Sequence, residues 1–65
     1  MSDYVTVERA DNEAMAELIK QRLEQGGIPC IVESGRMAAV AGPGAAYAVT
    51  VPAERVDEAR EILGG

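Results

Sequence analysis

Sixty-five residues carry six basic and eleven acidic side chains, one cysteine and no histidine. A chain this short makes one domain, 1–65, buries only about 60% of its unfolded surface and is marginally stable alone; its single cysteine allows no intrachain disulfide and no tetrahedral zinc site. A net charge of −5 repels phosphate backbones and anionic lipid, so nucleic acid and membrane surfaces are excluded as natural partners.

The Met1–Tyr4 start has no basic and no apolar leader segment, and no apolar run approaches the ~20 residues that span a bilayer. A cytoplasmic protein is expected. Strand one is predicted at Tyr4–Glu8, where β-branched Val5, Thr6 and Val7 suit a pleated surface. Alternation puts Val5 and Val7 on one face and Tyr4, Thr6 and Glu8 on the other. Asp11 or Asn12 then caps a helix, with Glu13 near the positive end of its dipole. Ala14, Met15, Leu18, Ile19 and Leu23 recur at helical spacing and form its predicted core stripe. Gly26 and Gly27 stop the helix: one supplies a left-handed residue, Ile28 folds back on the last turn, and Pro29 blocks resumption.

Strand two is predicted at Cys30–Glu33, with Ile31 and Glu33 on the face away from the helices. Thirteen residues follow, Ser34–Ala46, with Gly35, Gly42, Pro43 and Gly44 among them; connections this long tend to be functional or disordered. Strand three, Tyr47–Val51, sends Tyr47, Val49 and Val51 one way and Ala48 and Thr50 the other. Pro52 ends it and suits a helix start. The second helix, about Ala53–Leu63, buries Val56, Ala59, Ile62 and Leu63.

The strand–helix stretch Val5–Ile19 recurs as Val49–Leu63, 44 positions on: Val5-Thr6-Val7 against Val49-Thr50-Val51, and Glu17-Leu18-Ile19 against Glu61-Ile62-Leu63. The order β-α-β-β-α predicts an α+β, ferredoxin-like domain: a three-stranded antiparallel sheet with two helices on one face and no fourth strand. Strand one is then an edge, which invites pairing with another chain. With disulfide and metal excluded, association is the remaining support for so small a core, and a homodimer through that edge or the uncovered sheet face is expected.

No chemistry is written plainly into the residues. A reactive thiol needs a helix N-terminus or neighbouring cations, whereas Cys30 follows a helix C-terminus between Pro29 and Ile31 and reads as a packed strand residue. Ala41-Gly42-Pro43-Gly44-Ala45 could expose backbone N–H groups to an anion, with Arg36 the only basic side chain nearby, but it lacks the lysine and helix of a phosphate loop. Glu54, Asp57, Glu58 and Glu61 scatter over a solvated helix face, where Arg55–Glu58 and Asp57–Arg60 offer modest pairs. Serine or cysteine triads need histidine. Arg9 and Asn12 match part of an acylphosphatase arrangement, but the glycine-bearing phosphate cradle is missing. Copper chaperones need a Cys-x-x-Cys loop, and RNA-recognition motifs need exposed aromatics on central strands; neither is present. No enzyme activity, cofactor or metal is expected.

Asn12-Glu13-Ala14 opening the first helix, the Leu23…Gly27-Ile28-Pro29 turn closing it, Val49-x-Val51-Pro52, and Glu58-Ala59-Arg60-x-Ile62-Leu63 together resemble a family of small bacterial proteins. Its label is putative prokaryotic signal-transducing protein. The resemblance implies a regulatory role, loosely similar to the nitrogen-regulatory PII architecture, and no catalytic residues. The expectation is a non-enzymatic interaction module working through the uncovered sheet face, the edge strand and the 34–46 loop. Its contact residues would be Tyr4, Thr6, Ile31, Thr50, Arg36, Gly42 and Gly44. The competing expectation is a sensor that holds a small ligand between sheet and loop in a dimer.

Overall fold

The computed structural model describes residues 3–34 and 46–64. Its elements are strand β1 (Tyr4–Ala10), helix α1 (Glu13–Gln25), strands β2 (Ile31–Ser34) and β3 (Tyr47–Pro52), a 3-10 turn (Ala53–Arg55) and helix α2 (Val56–Gly64). The sheet is antiparallel in the order β1-β3-β2. β3, with its valines, is therefore central, flanked on each side by a strand that, among the described residues, pairs with it alone. The predicted α+β order β-α-β-β-α is the observed one.

β1 departs from simple alternation. Thr6 opposes Thr50, but Glu8 opposes the very next residue of β3, Val49, so Val7 is the extra residue of a β-bulge. The cause lies in the spacing of apolar residues. Val7 and Ala10 both belong to the core, yet they stand three apart, which a period of two cannot reconcile. One inserted residue shifts the phase and lets Ala10 turn inward, opposite Tyr47. The strand thus runs two residues past the predicted end, and Arg9, not Glu8, shares a face with Thr6.

Asn12 is the helix cap: its backbone is extended and its side-chain oxygen accepts from the Met15 N–H at 2.9 Å. α1 turns Ala16, Ile19 and Leu23 toward the sheet. The predicted stripe is corrected here, because Ala14, Met15 and Leu18 are exposed. Two overlapping apolar rows exist on this helix. The row beginning at Ala16 is the one buried, since its small first residue permits close approach to the strands while Leu23 fills the far end.

The turn after α1 uses its glycines as expected. Gly27 has φ +81, the Gly27 N–H donates to Glu24 O at 3.0 Å, and the Ile28 N–H donates to Leu23 O at 3.0 Å. These two bonds define a Schellman turn, and Leu23 and Ile28 are both buried in the core cluster. Gly26 keeps an ordinary φ of −85, but it lies against α2, where an added Cβ would collide with Ile62 Cδ1.

On α2, Ala59 is buried and Val56, Ile62 and Leu63 pack around it as predicted. The 3-10 turn delays the α-helix to Val56. Arg55 ties the two helices together: its Nε donates to Glu58 Oε1 at 2.7 Å and its Nη2 to the Gly27 carbonyl at 3.3 Å. Among the described residues, the similarly spaced Asp57 and Arg60 form no ion pair with each other. Residues from β1, α1, β3 and α2 meet in one core cluster, which places both helices on the same side of the sheet.

Candidate interaction surface

Because Val49 and Val51 point into the core, Ala48 and Thr50 occupy the opposite face of β3. The register builds that face in rows: Tyr4 beside Pro52; Thr6, Thr50 and Ile31 across all three strands; Arg9, Ala48 and Glu33 across the next. The flanking strands carry the large side chains. Tyr4 is 45% and Ile31 47% exposed, whereas Ala48 and Thr50 in the middle are buried.

Each predicted contact residue can now be placed. Tyr4, Thr6 and Ile31 share the expected face, with Tyr4 and Ile31 open to solvent and Thr6 half-buried. Thr50 lies on that face but is closed to solvent, and its hydroxyl donates to the Ile31 carbonyl at 3.1 Å. It therefore stitches β3 to β2 rather than offering a free polar group. Arg36, Gly42 and Gly44 lie outside the described residues. Arg9 belongs on this face and was assigned no such place by alternation; only the unequal spacing of Val7 and Ala10 hinted at it. Arg9 and Glu33 bring opposite charges to either side of Ala48.

The two strand edges are weaker candidates. β1 is bulged at Val7 and followed by charged Glu8 and Arg9, two devices that discourage edge pairing. β2 is four residues long.

Reactive groups do not converge. The Cys30 thiol donates to the Lys20 carbonyl at 3.7 Å, and burial, with Glu24 nearby, pushes its pKa up. Cys30 is half-buried and lies just before β2, not within the strand as predicted. Arg9 sits on the sheet face, while the Asn12 side chain is engaged by its own helix. Among the described residues there is no group of three acidic or cysteine side chains placed to hold a metal ion, and no pocket opens. Among the described residues, no helix is long and apolar enough to cross a membrane.

A family model described as putative prokaryotic signal transducing protein matches residues 4–64. It spans every element of the fold, from β1 through α2. Neither the curated proteins nor the solved structures give a match.

Proposed function

We propose that this chain, which belongs to the family of putative prokaryotic signal transducing proteins, is a non-enzymatic module that binds a partner protein across the sheet face away from its helices. The observation that supports this is the pair of exposed apolar side chains, Tyr4 and Ile31, flanking a central strand of small residues. Tyrosine is a frequent energetic anchor at protein contacts, offering a large apolar area with a polar tip and little conformational entropy to lose. Held on opposite edges of a hydrogen-bonded sheet, the two anchors are preorganised and cost little to order. Thr6 would add a polar contact. Arg9 and Glu33 would orient the partner, since opposite charges on either side of the sheet fix one docking direction. The lack of histidine and the raised thiol pKa of Cys30 favour binding over catalysis.

Capture experiments with the wild-type chain and with Ile31→Glu test the proposal. A partner retained by the wild type should be lost from the variant, with both proteins folding alike. A thermal-shift screen against nucleotides, amino acids and phosphorylated metabolites tests the small-ligand alternative. A ligand at a hundred times its Kd stabilises the fold by about 2.7 kcal/mol, and such a shift would favour the sensor reading.

A further inference from the structure

The sheet face away from the helices carries two full rows with the same internal order. Thr6, Thr50 and Ile31 stand side by side across β1, β3 and β2, and so do Arg9, Ala48 and Glu33. In the first row a short, half-buried side chain on β1 faces a long, exposed one on β2. In the second row a cation on β1 faces an anion on β2. The middle of each row is small and buried. Both rows are therefore antisymmetric about β3, short against long and positive against negative.

This order makes the face its own complement. When a second copy is turned over it about an axis running along β3, the β2 of one chain lies over the β1 of the other. Ile31 of each copy then fills the space above Thr6 of the other, and Arg9 of each meets Glu33 of the other. Ala48 and Thr50 meet their own counterparts along the axis. Small side chains there let the sheets approach to the ~10 Å of face-to-face packing, a gap that arginine and glutamate side chains bridge. An axis close to the strand direction also keeps the two sheets within the ~30° of aligned packing. An axis across the strands through Ala48 instead lays Arg9 on Arg9 and Glu33 on Glu33, and like charges oppose it.

Resting on the sheet-face reading of function, we infer that the protein held on that face is a second copy of this chain, related to the first by a two-fold axis along β3. A two-fold interface must present each patch to itself, and here size and charge select the same axis independently. An unrelated partner needs neither row to be antisymmetric. The face is three strands, about 14 Å, wide, so the contact falls below the ~1,200 Å² of standard interfaces. Its dissociation constant is accordingly expected between roughly 10 µM and 1 mM.

Sedimentation equilibrium from about 5 µM to 2 mM provides the test. The wild type should dimerise reversibly. Ile31→Glu should weaken the dimer by more than about tenfold, because a carboxylate replaces an apolar contact. Leu18→Glu, on the helix side, should leave it unchanged. Arg9→Glu and Glu33→Arg should each weaken it about tenfold, since both pairs across the axis become like charges. Mixed in equal amounts, these two variants should recover wild-type affinity to within about threefold, each supplying the charge that the other lacks. Circular dichroism melts verify that every variant folds. A wild type that stays monomeric at about 1 mM overturns the inference, as does a dimer indifferent to Ile31→Glu or a mixture no tighter than its two components. The sheet-face reading fails separately. A monomeric wild type that still captures an unrelated protein, lost on Ile31→Glu, would strike only the identity of the partner, whereas capture and dimerisation both untouched by Ile31→Glu would strike the face itself.

Discussion

Gly27 offers a test in which the sign of the effect depends on chirality alone. Its φ of +81 lies in the left-handed region, and an added Cβ would meet nothing within 4 Å. Gly27→Ala therefore suffers no collision, only the backbone cost of an L-residue at positive φ, about 1–2 kcal/mol. A chain of this size has on the order of 3–10 kcal/mol of total stability. Each kcal/mol shifts Tm by about 4–8 °C, so a fall of roughly 4–16 °C is expected. D-alanine at the same position, accessible by chemical synthesis, prefers positive φ and restricts the unfolded chain. It should be neutral or stabilise by about 0.4–1 kcal/mol. Thermal melts of the three proteins decide the matter: L-alanine below glycine, D-alanine level or above. Equal losses for both enantiomers would mean that space, not backbone conformation, demands glycine there, and the turn assignment would fail. Gly26 provides the contrast. Its φ tolerates a side chain, so the loss in Gly26→Ala comes from Ile62 Cδ1 and should shrink in the Ile62→Val background.

Leu23→Ala removes a fully buried side chain and should cost about 2–5 kcal/mol, enough to leave much of the chain unfolded at room temperature by urea titration. Asn12→Ala deletes the acceptor for the Met15 N–H and should cost about 1 kcal/mol, seen as earlier thermal loss of helical circular dichroism. Arg55→Ala breaks a solvent-exposed pair with Glu58 and a bond to the Gly27 carbonyl; about 0.5–1 kcal/mol is expected by denaturant midpoint. The raised pKa of Cys30 gives a signed pH effect. The unfolded thiol ionises first as pH rises, so the unfolded state then binds fewer protons and stability falls above about pH 8.5. Cys30→Ala should lack that component of the decline, and the native thiol should react with disulfide reagents more slowly than the denatured one.

Local chemistry made much of this fold legible. The helix cap, predicted at Asp11 or Asn12 and found at Asn12, the Gly26-Gly27-Ile28-Pro29 turn and the Val56–Ala59–Ile62–Leu63 stripe are each determined by neighbouring residues. The misplacements come from features that neighbours do not determine. The bulge at Val7 depends on where β3 lies, because the register of a pair is a property of two strands. The buried face of α1 depends on which of two apolar rows meets the sheet, and Met15 and Leu18 outweigh Ala16 in hydrophobicity while Ala16 wins in closeness of fit. On the candidate face, Tyr4 and Ile31 were readable from alternation. Thr50 was readable as to side but not as to burial. Arg9 became visible only through the bulge.

The direct test of the account is a binding comparison between wild type and a Tyr4→Glu, Ile31→Glu double variant, offered to the same cell extract and then to the purified retained partner by calorimetry. The account predicts a partner bound by the wild type and not by the variant, with the melting curves of the two proteins superimposed. Equal binding by both would contradict it.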